Sequence, residues 1–483
     1  MELREPLTEK EQKLVLFILA LSSFMASLDS TIVNISLPAI AESFHVPMNT
    51  ISWVTMSYLL VLSGFLLVFG KLGDMKGFRK IFIGGFTVFT LGSLLCGYAT
   101  SIETLIGFRF IQGIGAAALE AIGPAMVVIY LKKETRGRDL GILATVISLG
   151  IAAGPIIGGL LTEYVSWQWI FFINVPIGIV AIITGLKYLP ADRITRKPER
   201  FDYPGAILFF FALATFLWPV NEGLTLGWAS PAILGSFGIS AVLWILFIVR
   251  ETHCRDPLCD FELFRNRNFL AASIAAAIMM LALAGVQFLL PFFFEGVKGY
   301  SSAFAGLLLA IPSVALMIFG PLSGSLSDWF GSRILAAVSA LFTVATLFLI
   351  SMYSQDTGLI FIVFTLLCMG IAMGIFFPPN MNQILGQSKK DEEGTGSSIM
   401  TTMKNVGETM GIALMGTIAV FTVVSSKGFD PKTPAADIPM GILVEGFDVA
   451  ILAAGCIVIL AVILSAIAQD NKDPSGANPP MAR

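Results

Sequence analysis

Long apolar stretches separated by short polar breaks run almost the whole length of this 483-residue chain. Fourteen stand out, at 14–38, 50–71, 81–100, 104–130, 139–162, 167–189, 204–221, 229–249, 269–291, 303–325, 334–353, 358–378, 397–424 and 447–468. About twenty apolar residues in a helix cross the hydrocarbon core of a bilayer, and a helix satisfies its own backbone there. The pattern therefore predicts an all-α polytopic membrane protein with fourteen transmembrane helices. The stretch at 204–221 is the least regular, because Pro219 and Asn221 interrupt its end. Met1–Lys13 leads into an apolar run too long for a typical signal-peptide core, so it reads as an uncleaved first span.

Composition agrees. The chain is 56% hydrophobic and 13% charged, with a mean hydropathy of +0.83, whereas soluble domains carry about 25% charged residues. Lys and Arg set the orientation. With the N-terminus inside, 25 of the 30 cations fall in cytoplasmic segments and three (Lys298, Lys427, Lys432) in outer ones, while Arg109 and Lys404 lie within spans. Both termini are therefore cytoplasmic, and the chain is placed in the cell (plasma or inner) membrane. Cys254 and Cys259 beside His253 have the wrong spacing for a standard zinc site, and no metal is expected. No P-loop, H-E-x-x-H, nucleophile elbow or dinucleotide fingerprint stands out. The reading is thus neither an enzyme nor an ATP-driven pump, with no catalytic residues and no cofactor. Trp167, Trp169 and Trp228 are expected at the outer interface.

One string repeats at half-chain distance. Gly70, Leu72, Asp74, Gly77 and Arg79 recur as Gly324, Leu326, Asp328, Gly331 and Arg333, each set in a polar break after the second span of its half. Duplication of this kind marks a membrane protein built from two related bundles. The expected organisation is a six-helix bundle over 1–190, basic connectors with an inserted two-helix hairpin over 191–267, a second six-helix bundle over 268–468, and a disordered tail at 469–483. The glycines suit a tight turn; the acid suits a nearby helix N-terminus, and the Arg a neighbouring carboxylate or lipid phosphate. The first copy, with Lys71, Lys76, Arg79 and Lys80, is the better gate candidate.

Polar groups inside spans are costly and point to function. Arg109 heads R-x-x-Q-G, with Gln112, Gly113 and Glu120 on its helix face. Arg109 and Glu120 are about 16 Å apart along the axis and do not pair. Asp29 lies in the outer half of span 1 among Ser22, Ala26, Val33 and Ser36, with Asn34 nearby. Burial favours a neutral carboxyl and a nearby cation a charged one, the balance that proton coupling requires. Glu120 and Glu408 sit at similar depth, one in each half, and are candidates for a shared cavity with Asn34 and Gln112; an i,i+4 pair with Lys404 is the rival reading for Glu408. Span 5 carries Gly150, Gly154, Pro155, Gly158 and Gly159, a spacing for close helix approach with a bend.

These motifs make the chain resemble the major facilitator superfamily, specifically its fourteen-span drug:proton antiporters. Residues 70–80 (GKLGDMKGFRK), 109–117 (RFIQGIGAA), 150–160 (GIAAGPIIGGL), 28–38 (LDSTIVNISLP) and 167–178 (WQWIFFINVPIG) are each similar to a motif of that family. The resemblance implies two six-helix bundles and proton-driven export by alternating access. It also implies proton coupling at Asp29 and Arg109, and a gate at Gly70, Asp74, Gly77 and Arg79, with Asp328 and Arg333 as their second-half equivalents. Residues Gly150 to Gly159 would form the antiporter signature. The expected partners are a small lipophilic or cationic substrate, protons and membrane lipid, without nucleic acid, for a monomeric chain. Two rivals remain open: export or flipping of a dedicated amphiphile or lipid, and a non-transporting membrane sensor.

Overall fold

A computed structural model describes residues 9–131, 135–190, 202–254, 257–258, 261–386, 393–427, 430–433 and 438–468. The connector at 191–201, the tail at 469–483 and Cys259 lie outside the described residues, as do the side chains of Asp74 and Asp328. Among the described residues there is no strand, and fourteen helical segments are long and apolar enough to cross a membrane.

In chain order the helices are α1 (Glu9–Phe44), α2 (Met48–Lys76), α3 (Phe78–Gly97), α4 (Ile102–Tyr130) and α5 (Arg136–Tyr164). The sixth span is broken at Ile173 into α6 (Trp169–Phe172) and α7 (Asn174–Tyr188). Next come α8 (Tyr203–Leu226), α9 (Pro231–His253), the short α10 (Glu262–Arg265) and α11 (Arg267–Phe292), which ends in a π-turn at Phe293–Val297. The chain closes with α12 (Ser302–Phe330), α13 (Ser332–Ile350), α14 (Leu359–Gly386), α15 (Glu393–Lys427) and α16 (Met440–Ile467).

Packing is duplicated. In the first half α1 packs on α5, α2 and α3 on α4, and α3 on α7; in the second, α11 packs on α15, α12 and α13 on α14, and α13 on α16. The halves meet along two equivalent seams, α5 with α12 and α15 with α2. The hairpin α8–α9 breaks this symmetry, because α8 packs on both α2 and α15.

Three local features follow from side-chain chemistry. Gly77 (φ 102°) and Gly331 (φ 83°) form the turns of the two repeated strings, a sparsely populated positive-φ conformation that costs other residues about 1–3 kcal/mol. Arg79 donates to the Leu186 carbonyl and Arg333 Nε to that of Ala466, at 2.6 Å. Each arginine thus reaches the C-terminal end of its own half's last span, where free carbonyls attract cations. Finally, α8 continues through Pro219 to Leu226. The proline removes a donor to Thr215, whose carbonyl instead accepts from Ser236 Oγ of α9 at 2.8 Å. Of the three tryptophans expected at the outer interface, Trp167 is buried, edge-on to Phe44 and Phe171, whereas Trp169 and Trp228 are exposed.

Candidate functional site

The first half encloses a polar network centred on Asp29 of α1, which is fully buried. Its Oδ2 accepts from Arg109 Nη1 at 2.9 Å; its Oδ1 accepts from Gln112 Nε2 at 2.9 Å and Asn174 Nδ2 at 2.8 Å. Arg109 (1% exposed) also donates to Gln112 Oε1 at 2.6 Å and, through Nε, to the Val54 carbonyl at 3.1 Å. Gln112 Nε2 reaches Ser93 Oγ at 2.6 Å. The Arg109 guanidinium lies 4.1 Å from the centroid of the Tyr58 ring and 5.7 Å from that of Phe171, geometry in which a ring face attracts a cation. The network therefore ties together α1, α2, α3, α4 and α7.

Close backbone approach makes this possible. A Cβ on Gly113 would meet the Tyr58 carbonyl, and one on Gly92 the backbone of Gln112. Glycine at these two points lets α4 sit against α2 and α3, bringing Tyr58 onto Arg109 and Ser93 onto Gln112. The break at Ile173 places Asn174 at the start of α7, beside Asp29. A buried ion pair is tolerated when its remaining hydrogen-bonding capacity is filled, as Gln112, Asn174 and Val54 do here.

Glu120 lies apart from this network and turns to the other half. Lys404 of α15 is near enough to act electrostatically on both Glu120 and Glu408, and Glu408 also feels the charge of Glu120. Lys404 Nζ also sits 5.1 Å from the centroid of the Phe377 ring. The cluster thus spans α4 and α15, from opposite halves. Asn34 accepts from Thr55 Oγ1 at 3.3 Å, linking α1 to α2. Gln112, grouped by sequence with the cavity candidates, is fully buried beside Asp29.

The glycines of α5 serve two partners. Gly150, Gly154 and Gly158 face α1 at Ser27, Thr31 and Ile32, whereas Gly159 faces the Ser302 carbonyl of α12. On the other side of that seam, Gly306 faces the Pro155 carbonyl. Ser302 N–H also donates to Glu163 Oε2 at 3.0 Å. The outer ends of α5 and α12 are therefore in direct contact. In the repeated loops, Lys71 Nζ reaches the Pro257 carbonyl at 3.4 Å, and among the described residues no side chain approaches within 4 Å of where a Gly70 or Gly324 Cβ would stand. Among the described residues no cluster of three His, Cys, Asp or Glu side chains could hold a metal.

Sequence reasoning overlooked Ser93, Asn174 and Tyr58. Neutral polar residues in apolar helices carry little signal on their own.

Two bundles related by duplication, enclosing embedded charges, define a membrane transporter of the secondary class. Residues 19–412 match the Major Facilitator Superfamily, and the chain belongs to that family. It is a multi-pass integral membrane protein and not an enzyme. It is 33% identical to the riboflavin transporter RibZ of Clostridioides difficile, over 88% of this chain and 92% of that protein. It is 31% identical to the multidrug resistance protein Stp of Mycobacterium tuberculosis (85% of this chain, 76% of that protein). Identity to the tetracenomycin C resistance and export protein of Streptomyces glaucescens is 29% (88% and 78%). The fold is similar to a bacterial homolog of the human lysosomal transporter Spinster in an inward-facing, unoccupied conformation, with TM-score 0.69, 16% identity, and 97% and 100% of the two chains covered.

Proposed function

We propose that this transporter is a proton-coupled exporter of lipophilic or cationic small molecules, working by alternating access. The observation that carries the reading is the Asp29–Arg109 pair at 2.9 Å, buried within the first bundle and hydrogen-bonded on every side. Protonation of Asp29 would cancel its charge and release Arg109, a local change that shifts the balance between two packings of the bundles. Glu120 and Glu408, one from each half and within electrostatic reach of Lys404, supply acidic groups for a cationic substrate or a second proton. The repeated loops at Gly70, Asp74, Gly77 and Arg79, and at Asp328 and Arg333, act as the cytoplasmic gate, with each Arg anchoring its loop to its own half. Gly150 to Gly159 let α5 move as a unit against α1 and α12. We read the chain as two six-helix bundles with an inserted hairpin, functioning as a monomer in lipid.

Everted vesicles carrying the protein and an imposed pH gradient test this. Uptake of a fluorescent lipophilic cation should follow the gradient and stop when an uncoupler collapses it. Uptake that is indifferent to the uncoupler removes proton coupling. The similarity to RibZ favours a second reading, transport of a planar heteroaromatic compound. Riboflavin movement with no movement of cationic dyes would select it.

A further inference from the structure

The inserted hairpin meets both halves within one turn of α8. Asn221, 2% exposed, donates through Nδ2 to the Asn49 carbonyl at 2.8 Å and accepts from Ser52 Oγ at 3.1 Å. Its neighbour Glu222 accepts from Trp53 Nε1 at 3.2 Å. These three bonds all go to α2, in the first half. The next carbonyl back, Val220, accepts from Thr417 Oγ1 of α15, in the second half, at 3.0 Å. Lower on α8, Phe210 fills the space over Gly64 of α2 and packs edge-on against Phe65 at 5.6 Å and Phe110 of α4 at 5.9 Å. The hairpin thus packs on both α2 and α15, but its buried amide and its ring contacts are held by the first half, whereas its hydrogen bond to the second is a single one, from the Thr417 hydroxyl.

We infer that the hairpin travels with the first bundle as a rigid side wall, with Asn221 as the residue that positions it, and that the Thr417–Val220 contact breaks and re-forms as the bundles rock. The inference rests on the alternating-access reading. Three features set the asymmetry. Asn221 is buried, so losing its partners strands a polar amide away from water, whereas Thr417 can turn back to a carbonyl of its own helix. Aromatic packing adds to the α2 side. The equivalent seam between α5 and α12 carries no such wedge and closes by direct backbone contact at Gly159 and Gly306. A wall covering only the α15–α2 seam makes the two lateral faces unequal.

The test is a set of spin-label distances in the full-length protein in nanodiscs, recorded at pH 5.5 and pH 8 and with Asp29→Asn. One pair joins Leu226 at the outer end of α8 to Thr50 of α2; a second joins Leu226 to Phe421 of α15; a third, Tyr164 to Leu307, reports the α5–α12 seam. The inference expects the first distance to stay fixed while the second shifts together with the third. Asn221→Leu should then let the first distance vary with pH while helix content is retained, an effect that simple loss of stability would not produce. If the second distance stays fixed and the first shifts, the hairpin belongs to the other bundle and the inference fails. If the third shifts and neither of the others does, no sliding contact exists. A third pair that never moves removes alternating access, and this inference with it.

Discussion

Asp29→Asn is the sharpest single perturbation of the network. The carboxylate offers Oδ2 to Arg109 and Oδ1 to both Gln112 and Asn174. An asparagine has one acceptor oxygen and one NH2. If the oxygen faces Gln112 and Asn174, the NH2 meets the guanidinium of Arg109; if it is flipped, the NH2 meets two other amide donors. Either way Arg109, 1% exposed, keeps its charge without a counter-ion. Removing one partner of a buried ion pair costs about 3–5 kcal/mol. The expected outcome is a loss of that size in unfolding free energy, measured by denaturing-detergent titration in mixed micelles. Pairing the change with Arg109→Met should recover most of the stability, because apolar replacement of a whole buried pair is often close to neutral. The double variant should still not couple transport to protons. A stability loss under about 1 kcal/mol for Asp29→Asn would refute the claim that this pair is desolvated and mutually dependent.

Other outcomes follow from the same geometry. Gly306→Ala pushes a methyl group into the Pro155 carbonyl; overpacking of about 1–3 kcal/mol should weaken cross-linking between α5 and α12 and slow transport, with insertion intact. Gly77→Ala and Gly331→Ala force alanine to φ values of 102° and 83° and should each cost about 1–3 kcal/mol in the same titration. At the start of α8, buried Asp202 accepts from Arg250 at 3.1 Å and from Gly205 N–H at 3.2 Å. Burial pushes this carboxyl up, but those hydrogen bonds and the Arg250 charge outweigh it and hold it below its ordinary value. The clasp should therefore be fully present above the ordinary aspartate pKa of about 3.9 and be lost as pH falls through the lower folded value. Hydrogen exchange at 203–206 should show that step, and Asp202→Asn should abolish it.

The spans were legible because apolar length is a direct consequence of bilayer thickness, and all fourteen stretches correspond to helices in the structure. Proline misled at one point: α8 runs past Pro219 because Ser236, on the next helix, takes over the freed carbonyl, a tertiary repair that no local pattern reveals. The membrane-embedded Asp29 and Arg109 stood out through their cost in lipid. That they meet was only one of the options open to them, since the seating of α4 against α2 and α3, which fixes where Arg109 lies, depends on glycines such as Gly113 and Gly92 that read as generic packing. Asn174 and Ser93 were invisible for a related reason: each becomes informative only when its partner is known.

The most direct measurement of the central claim compares wild type and Asp29→Asn in everted vesicles, following uptake of a lipophilic cation before and after an uncoupler. The account predicts gradient-driven uptake in the wild type that the uncoupler abolishes, and none in Asp29→Asn protein inserted at the same level. Equal, uncoupler-sensitive uptake by both proteins would contradict the role assigned to the buried pair.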